Sequence, residues 1–159
     1  RKGIDRALNW FTGLRDPAFD LVIMGRAHRA FAPVPLPAHP NIHVLSDVDD
    51  ARLSALYRNA IALVQPSYYE GFGLPVLEAI TLRCPVITAH LKVFTEQFGD
   101  AVLEADIGYT RSMMRAMVTL NDPSARTEQV ERGHARSLAF TEERTAAALH
   151  QALDAVLGS

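Results

Sequence analysis

Lysine, cysteine and tryptophan are nearly missing from this chain of 159 residues, and its acidic and basic residues nearly balance. The basic residues number 16, only Lys2 and Lys92 among them are lysines, and they are scattered along the chain. A protein that binds nucleic acid usually gathers its basic residues into a patch or a stripe. The composition therefore argues against a nucleic-acid partner, and the net charge of −2 is ordinary for a globular protein.

Disulfides and membrane spans are missing as well. The single cysteine, Cys84, can form no disulfide within the chain, which favours a reducing compartment such as the cytoplasm. No apolar run approaches the roughly 20 residues that a membrane-spanning helix needs, and the amino end lacks the pattern of a secretory signal. The chain begins at Arg1 rather than at a methionine, so we expect it to be a piece of a longer protein.

Short apolar runs alternate with stretches of helical periodicity along the whole length. The runs that predict strands are DLVIMG, NIHVL, AIALVQP, CPVITA and AVLEA. Four prolines between residues 33 and 40 predict an extended surface loop after the first run. Helices are expected between the runs and over the last third of the chain. This alternation predicts an α/β fold with a doubly wound parallel sheet and right-handed crossovers, in one domain over residues 1–159.

The segment PSYYEGFGLP has the features of a ligand-binding loop. It follows an apolar strand, and in parallel α/β sheets ligands bind beyond the carboxyl ends of the strands. Gly71 and Gly73 allow the backbone to turn tightly and to approach a ligand, while Pro75 suits the first turn of a helix. The amino end of that helix would direct free N–H groups at the ligand, which is the arrangement that binds phosphate.

Two glutamates flank this predicted phosphate site. Glu70 precedes the helix and Glu78 lies about one turn inside it. Carboxylates accept hydrogen bonds from hydroxyl pairs, and a nucleotide sugar carries hydroxyls on both sides of its diphosphate. An arbitrary glutamate pair would be two solvated side chains on a helix, but the EGFGLP context after an apolar strand favours a nucleotide-sugar site.

The block PSYYEGFGLPVLEA, followed by CPVI, resembles the donor-binding signature of the retaining glycosyltransferases of family four, also called group 1. Those enzymes have the GT-B fold, in which two Rossmann-like domains face each other. The resemblance continues through RKGIDRAL, LVIMG, NIHVL, DDARLSALYRNAIALVQPS and FGDAVL. It implies that residues 1–159 form the carboxyl-terminal, Rossmann-like, nucleotide-sugar-binding half, and that the amino-terminal acceptor domain is absent from this chain.

The resemblance also implies roles for individual residues. Glu70 would contact hydroxyls of the donor sugar and orient it, and Glu78 would hold the ribose. Lys2 matches the family's diphosphate-binding lysine, although an exposed base without a function is the alternative. The backbone that lines the sugar and the diphosphate would belong to Gly71, Phe72, Gly73 and Leu74.

The implied activity is transfer of a hexose, of the mannose or glucose type, from a GDP- or UDP-linked sugar to a glycan or lipid-linked acceptor. The anomeric configuration would be retained. No metal or cofactor would be needed, because the helix amino end and Lys2 would stabilise the departing nucleoside diphosphate. The isolated chain would bind the donor without transferring the sugar. A cytoplasmic role in polysaccharide biosynthesis, with peripheral association of the whole protein at the inner face of the cell membrane, fits this activity.

Two other classes of function are alternatives to the enzyme. A non-catalytic nucleotide-sugar-binding module would keep the fold and lose the chemistry, and intact Glu70, Glu78 and Lys2 favour the enzyme over it. A dinucleotide-dependent oxidoreductase is disfavoured because no G-x-G-x-x-G follows any of the strand-like runs.

The remaining polar candidates have simpler interpretations. Asp47 and Asp49 could form a metal-binding pair, but they directly precede a predicted helix, where acidic residues act as caps. The six histidines have no i, i+4 pairing and no cysteine companions, so zinc is unsupported. His90 alone ends a strand on the ligand side, which makes it a candidate for lining the site. Cys84 precedes a buried strand and is interpreted as a packed thiol.

The resemblance raises a question about the middle of the sheet. In the Rossmann-like strand order 3-2-1-4-5-6 the first strand is central. If RKGIDRAL begins the first crossover helix, that strand lies upstream of Arg1, and we expect residues outside this chain to supply it. Direct hydrogen bonding between the strand of Val22 and the strand of Ala62 would contradict this order.

Overall fold

The computed structural model describes residues 2–15, 17–25 and 36–157, and within them strands alternate with helices. In chain order the elements are α1 (Ile4–Thr12), β1 (Leu21–Met24), β2 (Ile42–Leu45), α2 (Asp50–Asn59), β3 (Leu63–Gln65), α3 (Leu74–Thr81), β4 (Val86–Thr88), α4 (Lys92–Phe98), a 3₁₀ turn (Gly99–Ala101), β5 (Leu103–Glu104), α5 (Thr110–Asn121), α6 (Pro123–Ser137) and α7 (Glu142–Leu157). The predicted order of strands and helices is confirmed. The predicted proline-rich loop falls largely on residues 26–35, outside the described residues, and residues 36–40 contain neither helix nor strand.

All strand pairs are parallel, and they form two groups. β1 pairs with β2, which places Val22 opposite His43, and the second group has the order β3-β4-β5. Between the described parts of these groups there is no hydrogen-bonded pairing of β1 with β3. The result that would contradict the expected strand order is therefore not observed. β1 and β2 correspond to strands 2 and 3 of the 3-2-1-4-5-6 order, and β3, β4 and β5 correspond to strands 4, 5 and 6. The described residues contribute no strand 1.

Helices cover both faces of the β3-β4-β5 group. Successive side chains of a strand point to opposite faces, so neighbouring residues of β4 contact different helices. On β4, Val86 packs into a cluster with Val76 and Ile80 of α3 and Phe94 and Phe98 of α4. The next residue, Ile87, packs into a second cluster with the following residues of α1 and α5: Trp10, Phe11, Met113, Ala116 and Leu120. The predicted doubly wound arrangement is confirmed by these two cores.

Capping residues set where two helices begin. Asp49 precedes α2, and its Oδ1 accepts a hydrogen bond from the Arg52 N–H at 2.8 Å. Asp122 caps α6 in the same way through the Ala125 N–H, and Pro123 occupies the first turn. The capping interpretation of Asp49 is confirmed. No helix within the described ranges combines the length and apolar character needed to cross a bilayer.

Candidate functional site

The loop between β3 and α3 leaves the carboxyl end of the sheet and ends in a left-handed glycine. Gly73 has φ +101°, and its carbonyl accepts the N–H groups of Val76 at 2.9 Å and Leu77 at 3.2 Å. A Cβ at this position would lie 2.8 Å from Cε1 of Phe94, so glycine is required both for conformation and for space. The tight turn starts α3 directly at the loop. Because Pro75 has no N–H and Val76 and Leu77 donate to Gly73, the N–H groups of Gly73 and Leu74 are the ones left at this turn without an acceptor among the described residues.

Three donors converge on one oxygen of Glu70. Oε1 accepts hydrogen bonds from Lys2 Nζ at 2.7 Å, Ser67 Oγ at 2.6 Å and Gln65 Nε2 at 2.8 Å. The other oxygen, Oε2, accepts no hydrogen bond from a described residue. The Glu70 side chain is only 9% exposed, so the carboxylate is fixed in position with one oxygen left for a ligand.

The same contacts keep Glu70 ionised. Partial burial raises the pKa of Glu70, but the hydrogen bonds from Lys2, Ser67 and Gln65, together with the Lys2 charge, outweigh burial and lower it below the ordinary 4.5. Glu70 therefore acts only as a hydrogen-bond acceptor near neutral pH. That state suits recognition of hydroxyl groups.

Lys2 reaches Glu70 because the start of α1 packs directly on the loop. Gly3 has φ +67°, and a Cβ there would lie 1.9 Å from the carbonyl oxygen of Pro66. A second contact joins the same two segments, since the Tyr68 hydroxyl donates to Asp5 Oδ2 at 2.7 Å. The guanidinium of Arg6 also lies 4.4 Å from the centre of the Tyr68 ring. These contacts fix the amino end of α1 beside the Glu70 carboxylate.

Phe72 anchors the loop to the core, and its neighbours stay open. The Phe72 ring packs edge-on against Phe98 and Phe140, with ring centres 5.8 and 5.4 Å away. Leu74 is exposed, and a Cβ at Gly71 would meet nothing within 4 Å. Gly71 and Leu74 are thus exposed on either side of the buried Gly73, and the Phe72 ring points inward.

Glu78 makes a separate contact, with α2. Its Oε2 accepts a hydrogen bond from the hydroxyl of Tyr57, a buried residue of α2, at 3.3 Å. Burial, with the nearby Glu78 charge, raises the pKa of Tyr57, so the hydroxyl remains a donor at neutral pH. Glu78 is thereby tied to α2, whereas Glu70 is tied to β3 and α1.

A cavity of about 430 Å³ opens at the carboxyl ends of β1 and β2, beside α2. It does not include Glu70, but one of its walls is Leu53, which lies one helical turn before Tyr57. The cavity and the Glu78 contact thus share helix α2, which contributes Leu53 to one and Tyr57 to the other. The other lining residues include Met24, Gly25, Leu45, Val48 and Asp49.

The structure brings Lys2 and Glu70 into contact. From the sequence they were two separate candidates, 68 positions apart. The structure keeps Glu78 apart from them. Gln65, Ser67 and Tyr57 were not identified as site residues from the sequence. A polar Gln65 at the end of an apolar strand was an available signal, whereas Tyr57 lies at helical spacing with the apolar Leu53 and Leu56 and gives no such signal.

Within residues 2–15, 17–25 and 36–157, no cluster of three or more histidine, cysteine, aspartate and glutamate side chains could hold a metal ion.

Comparisons of the sequence with known proteins point to sugar transfer. A family model described as glycosyl transferases group 1 matches residues 1–110. O-antigen chain mannosyltransferase B of Escherichia coli is 38% identical over 103 residues, which cover 64% of this chain and 27% of that protein. O-antigen chain mannosyltransferase RfbU of Salmonella typhimurium is 34% identical over 87 residues, 52% of this chain and 25% of that protein. The chain thus spans about a quarter of the length of these relatives.

Similarity to solved structures supports the fold that the sequence predicts. Sucrose-phosphate synthase from Thermosynechococcus elongatus superposes with a TM-score of 0.80 at 22% identity, covering 99% of this chain and 43% of that one. WaaG, a glycosyltransferase involved in lipopolysaccharide biosynthesis, gives a TM-score of 0.65 at 21% identity, covering 100% and 44%. The predicted fold class, a Rossmann-like half of a GT-B glycosyltransferase, is confirmed.

Proposed function

Because the chain belongs to the group 1 glycosyl transferases, we propose that it is the donor-binding half of an enzyme that transfers a hexose from a nucleoside-diphosphate sugar to a glycan or lipid-linked acceptor. The names of the E. coli and Salmonella relatives favour mannose as the hexose. The single observation that carries the proposal is the fixed, ionised Glu70 at the amino end of α3.

On the sugar side, Glu70 has the properties of a hydroxyl acceptor. Three donors hold Oε1, so Oε2 can accept a hydrogen bond from the hexose without any movement of the side chain. An acceptor that is already in place orients the sugar at little further cost in conformational entropy. We assign Glu70 to orientation of the donor and not to nucleophilic attack, and we expect the anomeric configuration to be retained.

On the phosphate side, the positive end of α3 and the Lys2 ammonium lie next to Glu70. An ammonium has three donors, and among the described residues Lys2 uses one of them, on Glu70. The others are available to the diphosphate, together with the free N–H groups at the Gly73–Leu74 turn. Both would stabilise the negative charge that develops on the leaving group, so we expect departure without a metal ion.

The nucleoside lies, in this proposal, on the Glu78 flank. A carboxylate there can accept from the two ribose hydroxyls, and the cavity beside α2 falls in the size range of small-ligand pockets. Glu78 and the cavity are connected through α2, which supplies both Leu53 and Tyr57. The donor would therefore extend from the cavity, past the start of α3, to Glu70.

The test is an equilibrium titration of the full-length protein that contains this chain, using GDP-mannose and UDP-glucose with and without a chelator. We expect one donor to bind equally well in both conditions. Glu78→Ala should weaken binding by roughly 10-fold or more, because a charged acceptor is lost. Glu128→Gln, an exposed glutamate of α6, is the matched control and should not change the affinity. Binding that requires a divalent cation would contradict the metal-independent proposal.

A further inference from the structure

Three polar side chains lie in register across the carboxyl ends of β3, β4 and β5. Gln65 is opposite Thr88, and Thr88 is opposite Glu104. Residues paired in this way project to the same face of a sheet. We call Gln65, Thr88 and Glu104 the polar row. It lies at the edge where the Glu70 loop begins.

The middle of the polar row has an unsatisfied group. Thr88 is completely buried, and its Oγ1 has no hydrogen-bond partner among the described residues. Buried hydroxyls are almost always hydrogen-bonded to protein, water or ligand. The two neighbours of Thr88 in the row both bond other side chains, so Thr88 is the member of the row without a described partner.

Each end of the polar row holds a different side chain. Gln65 donates to Glu70 Oε1 at 2.8 Å, as described above. At the other end, Glu104 Oε2 lies 3.0 Å from Nδ1 of His90, and Glu104 Oε1 accepts from Thr95 Oγ1 at 2.5 Å. His90 follows β4 by two residues, so both ends of the row position a side chain above the sheet.

The Glu104 contact orients the imidazole ring. Partial burial raises the pKa of Glu104, but the hydrogen bonds from Thr95 and His90 outweigh it, and the net pKa is lowered. An ionised Glu104 only accepts hydrogen bonds, so Nδ1 of His90 carries the hydrogen. Nε2 is left for another partner, and the His90 side chain is 61% exposed.

The spacing of the strands relates this imidazole to Glu70. β3 and β5 flank β4, so the backbones at the two ends of the polar row are roughly 10 Å apart at the usual spacing of strands. Gln65 holds Glu70 at one end and Glu104 holds His90 at the other, so the proposal places the sugar ring above the row, between these two side chains. Nε2 accepts a hydrogen bond when the ring is neutral and donates one when it is protonated, and a hydroxyl can serve as the partner in either state.

We propose that His90 binds a hexose hydroxyl through Nε2, on the side of the sugar opposite Glu70, and that Glu104 and Thr95 are its positioning residues. This inference rests on the proposed function. The hydroxyl belongs either to the donor hexose or to an acceptor sugar, and the experiment separates the two sources.

The donor arm compares binding of a nucleotide with binding of its sugar conjugate, in the full-length protein. His90→Ala should weaken GDP-mannose or UDP-glucose, whichever the wild type binds, by roughly 3- to 10-fold. The affinity for GDP or UDP alone should change by less than 2-fold in the same variant, because His90 touches only the sugar. His150→Ala, an exposed histidine of α7, is the matched control.

The acceptor arm titrates methyl α-mannoside into the nucleotide-bound protein. If His90 serves the acceptor, His90→Ala abolishes this binding and leaves the affinity for the donor unchanged. An unchanged result in both arms overturns the inference. If the wild type binds no nucleotide or nucleotide sugar at all, the proposed function fails instead, so the two failures are distinguishable.

Two variants of Glu104 test whether this residue positions His90. Glu104→Gln keeps an oxygen that can accept from Nδ1, so it should retain most of the sugar-dependent affinity, whereas Glu104→Leu should reproduce the loss seen with His90→Ala. Thermal melting of both variants verifies that they are folded. If both variants keep the wild-type ratio of nucleotide-sugar to nucleotide affinity, Glu104 does not position His90.

Discussion

Lys2 Nζ and Glu70 Oε1 are 2.7 Å apart, although the two residues are separated by 68 positions in the chain. This ion pair joins the start of α1 to the loop that precedes α3. It combines a cation suited to phosphate with a carboxylate suited to hydroxyls, and those are the two chemical groups at the reacting end of a nucleotide sugar.

The ion pair makes stability depend on pH in a defined direction. The pKa of Glu70 is lowered in the folded protein, so its contribution to the free energy of unfolding is fully present above the ordinary value of 4.5. The contribution is lost as the pH falls through the lowered pKa. Thermal melts from pH 7 to pH 3 should give a higher melting temperature for wild type than for Glu70→Gln at neutral pH. This difference in melting temperature should narrow below pH 4.5. A difference that stays constant over this range would argue against the pair.

Gly3 sets the position of Lys2, and Gly3→Ala should therefore affect both stability and binding. The left-handed backbone alone disfavours alanine by roughly 1–2 kcal/mol, and a Cβ would collide with the carbonyl of Pro66. We expect a lower melting temperature together with weaker donor binding. Gly108→Ala is the control, because its Cβ would have an ordinary contact at 3.6 Å with Asp106 Oδ1. Equal behaviour of the two variants would show that Gly3 has no special role.

Removal of one hydroxyl tests the connection between α2 and Glu78. Tyr57→Phe leaves Oε2 of Glu78 without its donor, so the carboxylate loses orientation. Affinity for the nucleoside diphosphate should fall by roughly 2- to 10-fold, while the extra affinity contributed by the sugar should stay constant. Isothermal titration with the nucleotide and its sugar conjugate measures both quantities. Tyr109→Phe, at an exposed site, should behave as wild type.

Arg83 occupies a left-handed position, with φ +61°, a conformation that residues other than glycine adopt only rarely. Arg83→Gly relieves a conformation unfavourable by roughly 1–2 kcal/mol. It also removes the exposed ion pair of Arg83 with Glu131, which is worth roughly 0–1 kcal/mol. We expect a small net gain in the free energy of unfolding, measured by chemical denaturation. A loss larger than 1 kcal/mol would mean that the ion pair outweighs the backbone conformation.

The order of strands and helices was predictable from the sequence because hydrophobic periodicity and capping residues are local signals. Asp49 lies next to the helix it caps, and Val86 and Ile87 face opposite cores because they are consecutive in a strand. The family resemblance implied separate roles for Lys2 and Glu70 at the donor site, and their direct contact was not predicted, since no local pattern relates residues 68 positions apart.

The remaining parts of the site depend on long-range register. Glu104 lies next to Thr88 because of the pairing of β4 with β5, and Tyr57 meets Glu78 because α2 and α3 pack together. Neither relation has a signature in the residues themselves. The convergence of Gln65 and Ser67 on one oxygen of Glu70 depends in turn on the conformation of the loop, which short-range propensities do not determine.

The most direct test of the account is release of nucleoside diphosphate from GDP-mannose and UDP-glucose by the full-length protein in the presence of a glycan acceptor, wild type against Glu70→Ala. If Glu70 orients the donor, the variant should lose turnover by roughly 100-fold or more, with Glu128→Gln at the wild-type rate. Residues 1–159 alone should bind the donor but transfer nothing. Wild-type turnover by Glu70→Ala would contradict the role assigned to this carboxylate and with it the proposed donor site.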